Sequence, residues 1–331
     1  MLRIGILGCG RIGQVHAQSL KGMDEATIVA VADAVPASAE ALANATGAEV
    51  RDANDILTSD DINAVVIGTP TDTHFELIHG AAATGKAVFC EKPIDMSVNN
   101  IRACIRAVEA AGVTFMTGFN RRFDPNFAHL RNRIAAGDIG SVEILTITSR
   151  DPAPPPVSYI ERSGGLFRDM MIHDFDMARF LTASDFVRVH AVGASLVDPA
   201  IGAAGDVDTA AVMLTTKAGQ ICQISNSRRA AYGYDQRVEV HGEKGMLRAE
   251  NQLETTVELA DAAGFGRARA QLFFLERYSG AYLVEMQAFV AAATSGTPPT
   301  PDIRDGLQAQ ILADAATRSW ETGQPVELNE S

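Results

Sequence analysis

The sequence has few of the residues that mark disulfide-rich or metal-binding proteins. Its 331 residues contain only four cysteines and one tryptophan. Cys9, Cys90, Cys104 and Cys222 lie far apart and show neither a CxxC motif nor a Cys/His metal-ligand spacing. We therefore expect reduced cysteines inside the core, with no disulfide framework and no cysteine-based metal site.

Positive charge and long hydrophobic runs are also scarce. The formal net charge is −13, and the basic residues are scattered, which excludes nucleic acid as a partner. No apolar run approaches the roughly 20 residues needed to span a bilayer, so no membrane association is expected. The chain starts with an apolar run at 2–7 and shows no signal-peptide pattern, so we expect a cytoplasmic protein.

The overall composition is that of an ordinary globular protein. Hydrophobic residues make up 47% of the chain and charged residues 21%. A chain of this length is long enough for two domains, each with its own core. The composition alone does not indicate an activity, so an activity has to be predicted from motifs.

A glycine-rich turn joins the first predicted strand to the first predicted helix. Gly8, Gly10 and Gly13 form a GxGxxG pattern, with Arg11 and Ile12 between them. The first glycine permits a tight turn, the second lets the backbone approach a pyrophosphate, and the third allows the helix to pack on the strand. The helix N-terminus then offers N–H groups to the phosphates. Such a turn can also merely connect two elements.

An acidic residue supports the cofactor interpretation of this turn. The second predicted strand, 27–32, ends at Asp33, twenty residues after Gly13, where an acid that binds ribose is expected. A carboxylate at this position repels a 2′-phosphate, and Ala34 and Val35 supply no arginine to bind one. The combination predicts dinucleotide binding and favours NAD over NADP.

Strands and helices alternate through the first 120 residues. Further strands are predicted at 64–67, 87–90 and 113–117, and helices at 36–46, 72–84 and 97–111. This alternation predicts an α/β domain with a doubly wound parallel sheet. Ligands of such sheets bind at the carboxyl ends of the strands.

Polar residues follow these strand ends and become candidates for the cofactor site. Thr69 and Pro70, with His74 on the next helix, follow the strand at 64–67, and Glu91 and Lys92 follow the strand at 87–90. His74 is equally compatible with a surface position. Lys92 is the stronger candidate, because the proline after it stiffens its backbone and directs its ammonium group toward the crevice.

The second part of the chain has a different pattern. Strands are predicted at 142–149, 186–192, 209–216, 220–226, 236–241 and 246–249, and helices at 127–136, 276–293 and 305–321. Consecutive strands without helices between them predict an α+β domain built on a largely antiparallel open sheet. One broad face of this sheet offers a surface for self-association.

The segment 163–181, SGGLFRDMMIHDFDMARFL, is predicted to be a buried helix. Asp169, His173 and Asp176 then lie at i, i+4 and i+7 on one face, among mostly apolar residues. This face is predicted to line a reaction site; the alternative is a buried hydrogen-bonded pair that supports the helix. A metal site at His173, Asp174 and Asp176 is disfavoured, because Asp174 lies off this face and no further cluster completes it.

Four motifs together resemble the Gfo/Idh/MocA oxidoreductase family. They are the GxGxxG turn, Glu91-Lys92-Pro93, the segment GFNRRFD at 118–124, and Asp169-x-x-x-His173 followed by DFD. The resemblance runs along the whole chain. It is strongest to family members that oxidise inositol, through Arg150-Asp151-Pro152, Tyr232-Gly233-Tyr234-Asp235, and Arg277-Tyr278 with Tyr282.

The resemblance implies an NAD-dependent oxidation of a ring secondary alcohol of a cyclic polyol, with myo-inositol as the first expected substrate. It implies an NAD-binding Rossmann domain at 1–121, a substrate-binding and oligomerisation domain at 122–331, and a homotetramer. A sugar or scyllo-inositol dehydrogenase of the same family is the alternative. A non-catalytic NAD-binding regulator belongs to another class, and it would have no need of a base beside the nicotinamide.

The catalytic set that the resemblance implies is Lys92, Asp169 and His173. His173 suits the role of base that takes the hydroxyl proton, Asp169 would hold its tautomer, and Lys92 would stabilise the developing alkoxide. Alternatively, Lys92 accepts the proton and His173 orients the substrate. Arg122, Asp151, Tyr234 and Tyr282 match substrate-binding positions together with His173, although the two tyrosines suit a core or interface equally well.

Overall fold

The computed structural model describes residues 1–328, apart from the side chain of Glu161. The chain divides into two compact units. The first comprises Met1–Phe123 and Gly280–Gln310, and the second comprises Asp124–Ser279 and the chain from Ile311 onward. The sequence had assigned 122–331 to one domain. In the structure, 280–310 belongs instead to the first unit, because Met286, Phe289 and Val290 pack into its core.

The first unit is built on a six-stranded parallel sheet with the order β3-β2-β1-β4-β5-β6. The strand order reverses between β1 and β4, the position at which doubly wound sheets bind ligands. The predicted α/β doubly wound sheet is therefore confirmed. Its elements are β1 (Leu2–Leu7), α1 (Arg11–Leu20), β2 (Ala26–Ala32), α2 (Pro36–Thr46), β3 (Glu49–Val50), α3 (Ala53–Thr58), β4 (Ala64–Ile67), α4 (His74–Ala83), β5 (Ala87–Glu91), α5 (Val98–Ala111) and β6 (Phe115–Gly118).

Local sequence explains where several of these helices begin and end. Pro36 occupies the first turn of α2, where its missing N–H costs nothing. Ser97 caps α5 by accepting a hydrogen bond from the N–H of Asn100, and Gly112 ends the helix in the left-handed conformation. The sequence analysis missed β3 and α3, which are too short for a periodic pattern to show.

The second unit contains a seven-stranded sheet with the order β12-β11-β7-β10-β9-β8-β15. Its pairs are antiparallel except β7 with β10, which confirms the largely antiparallel prediction. The elements from 125 onward are α6 (Pro125–Ala135), β7 (Val142–Arg150), α7 (Val157–Ser163), α8 (Gly165–Asp169), α9 (Ile172–Thr182), β8 (Phe186–Ala194), α10 (Pro199–Ala203), β9 (Thr209–Thr216), β10 (Ile221–Ser227), β11 (Asp235–Gly242), β12 (Gly245–Ala249), β13 (Glu258–Asp261), β14 (Gly264–Arg267), α11 (Phe274–Arg277), α12 (Ser279–Ser295), α13 (Ile303–Thr322) and β15 (Val326–Glu327).

The segment 163–181 is not one continuous helix, so that prediction is wrong. It contains the end of α7, the short α8, and most of α9, with a break at Met170 and Met171. The N–H groups of both methionines donate to the carbonyl oxygen of Leu166. The second of these bonds spans five residues, as in a π-turn. Asp169 and His173 therefore lie on different helices, and the spacing of a single helix does not relate them.

Two other expectations concern the cysteines and membrane spans. All four cysteines are free and buried, as predicted for reduced core residues. Within residues 1–328, no helix combines the length and the apolar composition required to cross a membrane.

Candidate functional site

The residues predicted for the site fall in both units, and each set is described within its own unit. In the first unit, the glycine turn has the geometry that its sequence implies. Gly8 has a φ of +96°, and a Cβ on Gly13 would lie 1.9 Å from the carbonyl oxygen of Gly8. A Cβ on Gly10 would meet no described atom within 4 Å. The turn thus leaves open space beside Gly10, which fits the close approach of a pyrophosphate.

Asp33 is fixed against this turn. Its Oδ2 accepts a hydrogen bond of 2.6 Å from the N–H of Cys9, and its Oδ1 accepts one of 2.8 Å from the N–H of Val35. Each oxygen keeps a further lone pair that could accept from a ribose hydroxyl. Burial, together with the Asp33 carboxylate, raises the pKa of the Cys9 thiol to about 11, so Cys9 stays a neutral thiol. The turn and Asp33 together fit a dinucleotide.

His74 is buried between two strand ends, so the surface alternative is wrong. Its Nε2 lies 2.9 Å from the carbonyl oxygen of Thr69, and its Nδ1 lies 3.0 Å from that of Pro93. Burial lowers the pKa of His74 even though both carbonyls favour its charged form. His74 therefore ties the segment after β4 to the turn that carries Lys92. Whether Thr69, Pro70 and His74 contact a cofactor stays a prediction.

Glu91 ends β5 and is held on both carboxylate oxygens. The Nε2 of His16 lies 2.7 Å from Oε1, and the N–H of Lys92 donates to Oε2 over 3.2 Å. A Cβ on Gly118 of the neighbouring strand would lie 3.0 Å from this carboxyl group. The Glu91 side chain is thus packed inside the unit, where it fixes the backbone of Lys92.

The sequence analysis missed His16. It lies on the buried face of α1 with Gly13, Ala17 and Leu20, and this helical spacing is the signal that could have placed it in the core. Its ring packs edge-on against Phe89, with 4.8 Å between the centroids.

Two residues predicted to bind substrate also lie in the first unit and already have partners there. Arg122 is buried, and its Nη1 and Nη2 lie 3.1 Å and 3.0 Å from the two carboxylate oxygens of Asp305. Its Nη1 also donates to the Thr300 hydroxyl. Tyr282 is buried on α12, with its ring centroid 5.8 Å from that of His16. Their contact with a substrate remains a prediction.

In the second unit, Asp169 ends α8 and is contacted by two residues that the sequence analysis did not identify. The hydroxyl of Tyr159 donates to its Oδ1 over 2.9 Å. The Nη2 of Arg228, a side chain only 1% exposed, lies 3.5 Å from its Oδ2. Burial and the nearby carboxylate raise the pKa of Tyr159, so the phenol remains a donor. Asp169 is therefore an oriented acceptor.

The start of α8 is fixed by a buried carboxylate. Both oxygens of Asp206 accept from the N–H of Leu166, at 3.0 and 3.1 Å. Gly165 has a φ of +82°, and a Cβ there would lie 2.6 Å from the Oδ1 of Asp206. Burial raises the pKa of Asp206. This contact and the two partners of Asp169 hold the short helix at both ends.

We expect Gly165→Ala to destabilise the protein and to lower its activity. The added methyl group must displace Asp206, and left-handed backbone strain adds to the cost, for a total of about 2 to 4 kcal/mol. Gly205→Ala is the matched control, because Gly205 has a φ of +81° and no described atom within 4 Å of its Cβ position. Chemical denaturation of both variants measures the difference. Equal losses would show that the contact with Asp206 is unimportant.

His173 lies in the first turn of α9 and is partly buried. The next residue, Asp174, is buried and accepts a hydrogen bond of 2.8 Å from the Nδ2 of Asn226 on β10. Asp176 is also buried. Throughout residues 1–328, no group of three His, Cys, Asp or Glu side chains is arranged to hold a metal ion.

The remaining predicted substrate residues lie near the ends of β7 and β11. Asp151 follows β7, is partly buried, and donates its N–H to the carbonyl oxygen of Ser227. Tyr234 is buried, with its ring edge-on to that of Tyr278 at 6.0 Å. Neither observation tests a substrate contact, and both residues remain candidates.

Comparison with known proteins places both units in one family. Residues 2–119 match the model described as the oxidoreductase family with an NAD-binding Rossmann fold. Residues 127–248 match the model of the GFO/IDH/MocA C-terminal domain. The two matches cover most of the chain, and the first division between its units, after Phe123, lies between them.

Individual proteins are similar over nearly the whole chain. An inositol 2-dehydrogenase from Rhizobium meliloti is 55% identical, covering 96% of each chain. The crystal structure of a myo-inositol dehydrogenase from Corynebacterium glutamicum has a TM-score of 0.95 at 43% identity, covering 100% of both chains. The structure of a scyllo-inositol dehydrogenase from Lactobacillus casei with bound NAD(H) and scyllo-inositol has a TM-score of 0.93 at 31% identity, covering 99% of both chains.

Proposed function

This chain belongs to the Gfo/Idh/MocA oxidoreductase family, and from that premise we propose that it oxidises a ring secondary hydroxyl of a cyclic polyol with NAD. Myo-inositol is the proposed substrate and 2-keto-myo-inositol the product. The observation that carries the proposal is the 55% identity to an inositol 2-dehydrogenase over 96% of the chain. Scyllo-inositol is the second candidate, because the structure of a relative that is 31% identical has NAD(H) and scyllo-inositol bound.

The residues of the first unit fit the proposed cofactor. The open turn from Gly8 to Gly13 would hold the pyrophosphate, and the fixed carboxylate of Asp33 would hold the adenosine ribose. Bound NAD supplies the acceptor for the hydride that leaves the carbinol carbon. Arg11 and Ile12 open α1, where N–H groups favour anions. Thr69, Pro70, His74 and Glu91 belong to the segments that shape or support this site.

We assign to His173 the role of removing the proton from the substrate hydroxyl. Hydride can leave the carbinol carbon only as this proton is removed, and an imidazole is suited to removing it near neutral pH. Asp169, held by Tyr159 and Arg228, is assigned the role of stabilising the imidazolium that forms. Lys92 is assigned the role of donating to the same substrate oxygen as negative charge develops on it.

The other hydroxyls of the polyol require fixed partners, because each buried hydroxyl left unpaired costs about 1 to 3 kcal/mol. We assign this role to Arg122, Asp151, Tyr234 and Tyr282. Asp151 offers only acceptors when it is ionised, so it would select a hydroxyl that donates. Asp151→Asn would therefore alter which isomer is preferred.

The proposed function is tested with the purified protein, NAD and a panel of myo-inositol, scyllo-inositol, other inositols and aldoses. Growth of NADH absorbance with myo-inositol, at a higher kcat/KM than with the other compounds, is the expected result. A higher kcat/KM with scyllo-inositol or with a pyranose would reassign the substrate within the family. Absence of NADH with every compound would favour a non-catalytic NAD-binding regulator.

We also propose that the protein is a homotetramer that assembles through the open face of the seven-stranded sheet. Large apolar side chains on five of its strands are exposed on one face, and contiguous exposed apolar surface marks an interaction site. They are Ile144, Val192, Met213, Ile221 and Met246. Light scattering measures the mass, and Met213→Glu is expected to yield smaller particles.

A cytoplasmic location completes the proposal. All four cysteines are free, as is usual in a reducing compartment, and NAD-linked oxidation of a small polyol requires a supply of the cofactor. Fractionation of cells that produce the protein would test this location.

A further inference from the structure

Glu285 is a buried acid that the proposed mechanism does not use. It lies on α12 with 0% of its surface exposed, and neither of its carboxylate oxygens has a hydrogen-bond partner among the described residues. An ionised carboxylate in such surroundings would be very unfavourable, and a buried acid avoids this cost by keeping its proton. A neutral carboxylic acid still has an O–H group that needs an acceptor.

The packing of α12 shows which elements face Glu285. Tyr282, Glu285 and Phe289 are spaced at i, i+3 and i+7, so they share one face of the helix. The Tyr282 ring contacts His16 of α1 at 5.8 Å, and the Phe289 ring contacts Phe89 of β5 at 5.7 Å. Glu285 lies between these two contacts and therefore faces α1 and β5.

Among the described residues on this side of Glu285 are Glu91 on β5, which acts on it electrostatically, and His16 on α1, which contacts Tyr282 on the same face of α12. The Nε2 of His16 lies 2.7 Å from the Oε1 of Glu91. Its Nδ1 is buried and has no hydrogen-bond partner among the described residues. Burial is the main cause that raises the pKa of Glu285, and the negative charge of Glu91 raises it further. The Glu91 carboxylate also favours the charged form of His74 on α4, although burial lowers the pKa of that residue.

The unpartnered groups are complementary. If the proton of neutral His16 is on Nε2, that nitrogen donates to Glu91 and Nδ1 is left as an acceptor. Neutral Glu285 has one O–H donor. One enclosed water can accept from Glu285 and donate to Nδ1, as buried waters do for otherwise unsatisfied groups.

We propose that Glu285 is a positioning residue for Lys92, acting through His16 and Glu91. Through this water, the neutral acid keeps the proton of His16 on Nε2, so that His16 donates to Glu91. Glu91 is then held in the position from which it accepts the hydrogen bond of the Lys92 N–H. The effect of Glu285 on turnover rests on the proposed function; its protonation state and the His16 tautomer do not.

The first test uses stability and needs no activity. In the unfolded chain Glu285 ionises near pH 4.3, whereas the folded protein retains the proton, so the folded wild type loses stability relative to the unfolded chain as pH rises. Glu285→Gln has no such proton. We expect its melting temperature to exceed that of wild type by a margin that grows from about pH 5 to about pH 8. A constant margin would overturn the proposal.

Glu40→Gln is the matched control for this test, because it removes the same group from the exposed surface of α2 in the same unit. The difference between its melting temperature and that of wild type should not grow with pH. Nitrogen NMR shifts of His16 provide the second readout that is independent of activity. They should show the Nε2–H tautomer in wild type and in Glu285→Gln, and a mixture in Glu285→Leu. The same single tautomer in Glu285→Leu would contradict the proposal.

The third test compares turnover. Glu285→Leu removes the donor, and we expect kcat for the polyol to fall about 10- to 100-fold, since small misplacements have effects of this size. The KM for NAD should stay within about twofold. The melting temperature near pH 7 should not fall, because removing the cost of keeping a buried acid protonated offsets the loss of the water-mediated bond. Glu285→Gln still donates through its amide and should restore kcat.

Other outcomes of the turnover test are also decisive. Unchanged kcat in Glu285→Leu, or equal losses of kcat and melting temperature in both variants, would show that Glu285 has no positioning role. If wild type oxidises none of the cyclic polyols, the proposed function fails, and the melting and NMR measurements still decide the state of Glu285 and His16.

Discussion

Replacing His173 with alanine is expected to lower kcat for the polyol by about 10²- to 10⁴-fold, the range for loss of a general base. The Kd of NAD should stay within about twofold of wild type, because the predicted cofactor residues belong to the first unit and His173 to the second. Steady-state kinetics and a titration of NAD by fluorescence measure the two quantities. A large loss of kcat with unchanged cofactor binding would identify a residue that acts in the chemical step.

His129→Ala is the control for this experiment. His129 is exposed on α6 of the same unit, so its replacement should leave kcat, cofactor affinity and melting temperature unchanged. If His173→Ala instead lost NAD affinity and stability together with kcat, His173 would be a structural residue. Lys92 would then become the candidate for the proton acceptor.

Replacing Asp33 with alanine is expected to lower kcat/KM for NAD by about 10- to 100-fold. The change removes the proposed interaction of the ribose with a charged group, and a net loss of about 1.5 to 3 kcal/mol corresponds to a change of this size. It also leaves the N–H groups of Cys9 and Val35 without the acceptor that they have in the structure. The ratio of NADP to NAD use should rise, because the negative charge that repels a 2′-phosphate is gone.

Asp33→Asn separates these two effects. The amide oxygen can still accept from one of the two backbone N–H groups, while the charge is absent. We expect a smaller loss with NAD than for Asp33→Ala, together with a similar rise in the NADP to NAD ratio. An unchanged ratio in both variants would show that Asp33 does not contact the ribose.

Regular patterns in the sequence predicted most of the fold. The helix at 36–46 and the strands at 64–67 and 209–216 have the predicted bounds, because their periodicity, proline and glycine positions are local signals. The break at Met170 and Met171 was not predictable in this way. The residues around it suit a helix, and the contacts that flank α8 come from distant segments, from Asp206 to Leu166 and from Arg228 to Asp169.

The candidate site shows the same division between local and distant information. The spacing from the glycine turn to Asp33 is a local signal, and the structure places the two in contact. Tyr159 and Arg228 reach Asp169 from other segments of the second unit, and no spacing in the sequence relates them. Glu285 could not be identified from the sequence either, because only its buried position against α1 and β5 distinguishes it from the many surface acids.

The membership of residues 280–310 in the first unit has a consequence for the order of folding during synthesis. A ribosome that has made the first 123 residues has produced all six strands of the parallel sheet, but not Met286, Phe289 and Val290, which complete its core. Part of the apolar surface of the nascent sheet therefore remains exposed until most of the chain has emerged. Such intermediates are prone to aggregation, so this enzyme is expected to depend on chaperones that bind the early chain.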